Sequence, residues 1–239
     1  MSPRVAMVAG WTLALALVAA FIALGNWQLG RQQVKQAMLD EVATTLRART
    51  PVPLAAADDP ARHRAYDWAE GAGHFADMPA VLLDNQQRGG RAGVRAYRVF
   101  VPESGGQPLL VELGWLPLPG DRTLPDVPKP AGQREVAGLL AAPPSHGIGP
   151  AGTAAQDDGT LLAIGLDPHA LAATMGLPGL APRVLKLDPD AGFGYPRDLD
   201  VLPNTMPPER HFGYAVQWFA LALAVLAIAL VLTCRRPRP

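Results

Sequence analysis

The chain has one cysteine, Cys234, close to its end. Everything between its two apolar runs is therefore without a disulfide or a thiolate metal site, and a domain of this size has core enough to do without them. A membrane-anchored copper carrier, which needs Cys ligands outside the bilayer, is excluded on the same ground. Serine is scarce, and Ser145-His146-Gly147 is not a nucleophile elbow. Gly89-Gly90-Arg91-Ala92-Gly93 does not open a helix after a strand, so it is not a phosphate cradle. His63, His74, His146 and His169 lack metal-ligand spacing and suit surface or capping positions. No enzyme signature survives. Acidic residues are absent before Asp40 and after Glu209. The 25–213 stretch carries 17 basic and 21 acidic residues, a net charge of −4 without a basic stripe, which makes a poor nucleic-acid binder.

What the sequence does hold is two long apolar runs. Trp218 to Leu232 is wholly apolar, and with residues 214–217 and Thr233 it makes 20 residues, enough for a helix to cover the ~30 Å hydrocarbon core. Val5 to Leu24 is a second run of 20, interrupted only by Gly10 and Thr12. It is longer than the ~7–15 residues of a signal-peptide core, which favours an uncleaved anchor over a cleaved signal. Arg4 precedes this run while Arg31 and Lys35 follow it, so the Arg235/Arg236/Arg238 cluster decides the orientation. Both termini are then expected in the cytoplasm and the middle outside. Four residues before the first span leave no room for a transit peptide, which points to a bacterial inner membrane.

The expected organisation is a cytoplasmic start (1–4), a first span (5–24), an amphipathic helix leaving the membrane (25–50), a periplasmic domain (51–210), a second span with its interfacial turn (211–233) and a basic tail (234–239). Val34, Met38, Val42 and Leu46 recur every four residues, so the first helix should run to about Arg47, where Pro51 and Pro53 end it. Pro51 to Arg64 has the composition of a linker. Strands are expected at 66–75, 80–85, 94–101, 109–116, 134–141, 161–165 and 183–188. In the fourth, Leu109, Val111, Leu113 and Trp115 should share one face, with Glu112 and Gly114 on the other. Gln87 to Gly93 is too glycine-rich for strand and is expected as a mobile loop or wide turn. One short helix is signalled by Asp167 as N-cap, Pro168 at the first turn and Gly176 as stop. The predicted fold is two transmembrane helices flanking a mainly antiparallel β domain, as a sheet or partly closed barrel.

Polar groups cluster where the spans meet the outer interface: Trp27, Gln28 and Arg31 on the first, and His211, Tyr214, Gln217 and Trp218 on the second. His211, Tyr214 and Trp218 lie at i, i+3 and i+7, on one helical face. Ala16/Ala20 and Ala220/Ala224 offer small faces for close pairing of the helices. If the helices pair, imidazole, guanidinium and aromatics surround one amphipathic cavity. Such a set suits haem: His for iron, aromatics for the macrocycle, Arg for a propionate. A packed helix pair with an aromatic belt explains the same residues without a ligand.

These residues also carry a resemblance. Gly25, Trp27, Gln28, Arg31 and Lys35, with His211, Tyr214, Ala215, Gln217, Trp218 and Phe219, resemble the end signatures of the Surfeit-locus-one family of cytochrome c oxidase biogenesis proteins. Leu83-Asp84-Asn85 with Gly93, residues 110–117 and residues 136–140 follow in the family's order. The resemblance implies a non-enzymatic assembly factor in the membrane. It would deliver haem a to oxidase subunit I beside a haem a synthase, with His211 as the haem-iron ligand. A haem-free scaffold for a nascent oxidase subunit is the alternative. One departure stands out: Glu112-Leu113 occupies the place of the family's Asn-Arg before Gly114-Trp115. The missing basic residue would have to be replaced by Arg88, Arg91 or Arg95.

Overall fold

The protein is described here from a computed structural model, covering residues 2–144, 152–202 and 205–235. His146, Arg236 and Arg238 lie outside the described residues. The chain forms two compact units, Met1–Asp40 with Thr205–Pro239, and Glu41–Asn204.

The first unit is a pair of helices. Helix α1, Pro3–Ala48, runs unbroken for 46 residues, about 70 Å, because no proline or cap interrupts it before Pro51. Helix α3, Pro208–Cys234, has 27 residues and starts with proline in its first turn. Both are long and apolar enough to cross a membrane. A regular series runs through their less exposed positions. On α1 it is Trp11, Ala14, Val18, Phe21, Gly25, Gln28, Gln32 and Lys35, and on α3 His211, Ala215, Trp218, Ala222 and Val225, with neighbours such as Leu29, Phe219 and Leu226 half-buried beside it. Steps of three and four alternate, the spacing of a knobs-into-holes seam. The pairing is antiparallel, from Trp11 Nε1, which donates to Thr233 Oγ1 at 3.1 Å, to Lys35 Nζ, which donates to the carbonyl of Met206. Gly25 permits the closest approach: a Cβ there would lie 2.6 Å from the Phe219 ring. The buried small residues of the contact are thus Gly25, Ala215 and Ala222. Ala16, Ala20, Ala220 and Ala224, expected to pair, are exposed, since they fall off the three-four rhythm.

Among the described residues, the second unit is built on a mixed nine-stranded sheet. Its strands are β1 (Pro51–Pro53), β2 (Asp67–Phe75), β3 (Val81–Arg88), β4 (Arg91–Pro102), β5 (Leu109–Pro117), β6 (Gln133–Ala141), β7 (Thr153–Ala155), β8 (Leu161–Ala163) and β9 (Val184–Leu187). The order β2-β6-β9-β5-β4 closes on itself because β4, twelve residues long, pairs with β2 through residues 100–102 after pairing with β3. This is a five-stranded barrel with β3-β8-β7 extending from one edge. The sheet is mixed: six pairings are antiparallel, in keeping with the expectation of a mainly antiparallel domain, and β1–β2, β3–β8 and β5–β9 are parallel. Each parallel partner is a short strand of three or four residues added after a long connection, which alternation in sequence does not reveal.

One core fills the barrel, with Leu54, Phe100, Leu109, Val111, Leu113 and Leu140 among its members. A second lies on the outer face under helix α2 (Pro168–Met175), with Val81, Leu83, Val99, Leu110 and Leu171. Asp167 caps α2 by accepting from the backbone N–H groups of His169 and Ala170, and Gly176 closes it in the left-handed conformation, as expected. The supposed linker is instead β1 followed by two 3-10 turns, Leu54–Asp58 and Pro60–Arg62; Leu54 and Ala57 plug the barrel. The supposed loop at 87–93 is a tight hairpin. Gly89 and Gly90 have φ of +56° and +75°, which two-residue hairpin turns require, so glycine here serves the sheet.

The fourth expected strand holds a surprise. Arg95 pairs with Trp115 and Ala96 with Gly114, but Tyr97 pairs with Glu112, so Leu113 is an extra residue in a β-bulge. The alternation slips there. Leu109, Val111 and Leu113 face the barrel core, whereas Trp115 turns to the outer face with Arg95, Tyr97 and Glu112. Segment 195–197 lies against the bulge. Leu113 carbonyl accepts from Tyr195 N–H at 2.8 Å, and Trp115 N–H donates to Pro196 carbonyl at 2.9 Å. Gly114 has φ +129°, and a Cβ would lie 2.5 Å from the Tyr195 carbonyl oxygen, so glycine is needed twice over.

Candidate functional site

The seam between α1 and α3 brings two of the seven expected residues into contact. His211 is buried at 6% exposure, and its Nδ1 lies 2.7 Å from Gln28 Oε1. They meet because both sit on the three-four seam. Seven residues further along α3, Trp218 returns to the seam and stacks on Phe21 with ring centroids 5.5 Å apart. Tyr214 does not share this setting. The seam steps by four from His211 to Ala215, leaving Tyr214 exposed. Gln217, Trp27 and Arg31 also point away from the seam and are exposed. Arg31 makes no hydrogen bond or ion pair among the described residues.

His211 Nε2 is the chemically distinctive atom. It is buried and has no hydrogen-bond partner among the described residues. An unpaired buried polar atom costs about 1–3 kcal/mol, so native structures seldom keep one without a reason. An iron porphyrin needs an imidazole with one nitrogen lone pair free, and the donor set fits that need. Deeper in the pair the side chains are apolar. Of the remaining histidines within the described residues, His63, His74 and His169 are exposed, and His63 Nδ1 lies 3.0 Å from the Pro60 carbonyl. Cys234 is exposed.

A second constellation lies in the sheet unit, where composition gave no hint of it. Glu112 is 1% exposed, with Arg95 Nη1 on Oε1, Lys186 Nζ 2.8 Å and Tyr97 hydroxyl 3.0 Å from Oε2. β4, β5 and β9 set these four side by side, since Glu112 pairs in register with both Tyr97 and Lys186. Burial opposes ionisation of Glu112, but the adjacent Lys186 and Arg95 charges win and hold its carboxyl below the ordinary range. Burial, reinforced by Glu112, pushes the Tyr97 phenol well up, so Tyr97 stays a neutral donor. Asp198 reaches the outer side of Arg95 at 3.4 Å. Of the arginines expected to compensate for Glu112-Leu113, Arg95 is the one that touches the carboxylate. Arg88 bonds the Arg197 carbonyl at 3.3 Å instead, and Arg91 is exposed. Periodicity could not reveal this cluster, because the bulge and a parallel strand assemble it. The signal that was there is Glu112 itself, a carboxylate within an otherwise apolar strand.

The segment following β9 is held by one guanidinium. Arg197 donates to the carbonyls of Asp188, Ala191, Leu113 and Tyr195, at 2.7 to 3.1 Å. Burial lowers its affinity for its proton only from an ordinarily very high value, so it stays charged. It ties the 188–197 loop to the bulge of β5.

Residues 15–223 match the SURF1 family, a span that takes in both helices and the sheet. The chain belongs to the SURF1 family. That family is associated with cytochrome oxidase assembly. No individually curated protein matches the chain. The family match spans His211, Gln28 and Glu112 alike, so both constellations lie inside the shared region.

Proposed function

We propose that this SURF1-family chain is a bacterial inner-membrane assembly factor that holds haem a as cargo for subunit I of a haem-copper oxidase, beside a haem a synthase. The observation that carries the reading is the buried, unpartnered Nε2 of His211 opposite a Gln28-bonded Nδ1. When bound, the porphyrin would supply an iron for the His211 imidazole to ligate. The chain's part is to keep His211 neutral, oriented and shielded from water. Trp218 and Phe21 offer aromatic surface on the same seam. Exposed Arg31, without a partner of its own among the described residues, is available to a propionate, with charge-assisted bonds worth about 1.5–3 kcal/mol each. Tyr214, Gln217 and Trp27, on the outward faces, suit contact with lipid or with a partner subunit in the bilayer.

The test is the absorption spectrum of protein purified from cells that make haem a. Wild type should carry a Soret band, and His211→Ala should lose it or shift it to the blue while inserting normally. Arg31→Gln should retain haem less firmly than wild type but better than His211→Ala. Alanine at His63, His74 or His169 should change nothing. Wild-type occupancy and spectrum in His211→Ala would remove His211 as ligand. A colourless wild type would leave the haem-free scaffold as the function.

A further inference from the structure

Neutral histidine carries one ring proton, and which nitrogen holds it decides what the ring can do. The oxygen of a carboxamide has lone pairs and no proton to give. With Oε1 of Gln28 facing it at 2.7 Å, Nδ1 of His211 can make this hydrogen bond only as the N–H nitrogen. Nε2 is left with its lone pair, buried and without a partner among the described residues. Gln28 is held in place by the seam itself, one turn beyond Gly25, where the helices come closest. The amide thus has a fixed backbone position from which to reach the ring.

We infer that Gln28 is a positioning residue. It touches no ligand, fixes His211 in the Nδ1–H tautomer, and so presents the Nε2 lone pair for axial coordination. This replaces the expectation that Gln28 lines a cofactor pocket. The tautomer follows from the Gln28–His211 contact alone, while its use as a ligand rests on the haem reading above. Metal-bound histidines are held in this way, by an acceptor on the opposite nitrogen that sets ring orientation and raises basicity. A glutamine is a neutral acceptor in that role, and it lets the ring stay neutral with no carboxylate to bury beside it.

Two measurements on the full-length chain in lipid nanodiscs separate the claims. In haem-free protein with nitrogen-15-labelled histidine, two-bond nitrogen–proton correlations report the tautomer of His211. Wild type and Gln28→Glu should show Nδ1–H, and Gln28→Leu should revert to the Nε2–H form that free histidine prefers. In haem-loaded protein, Gln28→Leu should weaken retention about 10–100-fold. Gln28→Glu should restore retention and lower the iron midpoint potential, because a carboxylate acceptor gives the ring more imidazolate character. An Nε2–H tautomer in wild type, or one tautomer in all three proteins, overturns the role of Gln28. So does an identical potential and retention across the variants. A colourless wild type that still shows Nδ1–H overturns the haem reading and the ligand-presenting role with it. A coloured wild type with the opposite tautomer overturns the role of Gln28 alone.

Discussion

Glu112 stands between two buried cations, Arg95 and Lys186, and donates nothing itself; it only accepts. Removing its charge would leave both cations in low dielectric without their anion. Glu112→Gln should therefore destabilise the sheet unit by about 3–5 kcal/mol, the usual cost of breaking a buried pair from one side. Urea unfolding of the full chain in detergent, followed by near-ultraviolet circular dichroism, measures it. The pH dependence has a definite sign. Because the folded-state pKa of Glu112 lies below the unfolded one, its contribution is complete above the unfolded value and is lost as pH falls through the folded one. Wild type should lose stability below about pH 4, where unfolded glutamates take up protons. Asp67 adds to the slope: burial resists its charge, but Arg183 and Arg62 prevail and hold its carboxyl below the ordinary value. Glu112→Gln should be shallower than wild type over that window. An equally steep curve would show that Asp67 and the surface carboxylates account for all of it.

Among the elements, the helix pair depends most on a single position. Gly25 has no room for a side chain beneath Phe219, and the contacts on either side, Phe21 with Trp218 and Gln28 with His211, rely on the same separation. Gly25→Leu should push the helices apart and break the Gln28–His211 bond without harming the sheet unit. Spin labels at exposed Val8 and Leu232, in a Cys234→Ser background, should show a longer and broader distance distribution by pulsed electron paramagnetic resonance. An unchanged distribution would mean that Phe219 simply rotates away. Gly30, with open space around it, is the control position, where the same substitution should leave the distance unaltered.

At the scale of the whole molecule, two helices are each long and apolar enough to cross a membrane, with a folded sheet unit between them in sequence, and the proposed topology has both ends of the chain on one side. From the basic cluster after the second run we expect those ends in the cytoplasm. A reporter fused after residue 239 should then be active only in the cytoplasm, and one inserted near Pro130 only outside. Pro130 lies in the irregular stretch before β6, so an insertion there spares the ladders. A terminal fusion active only in the periplasm would overturn this arrangement.

Sequence by itself determined the features that depend on neighbours along the chain. Seven of the nine strands and the short α2 helix were legible, because alternation, caps and turn residues act over a few positions. The two helices long and apolar enough to cross a membrane were legible for the same reason, being a matter of local apolarity and length. Tertiary structure alone decided what depends on partners. It placed Gly25, Ala215 and Ala222 at the seam and put the four alanines outside. It turned Trp115 and Glu112 onto one face by a bulge that segment 195–197 holds in place. It also brought together, of the seven expected residues, Gln28 and His211. A three-residue step and a four-residue step look equally helical in sequence. Only the partner helix shows which of them continues the seam, and that difference separates buried Ala215 from exposed Tyr214.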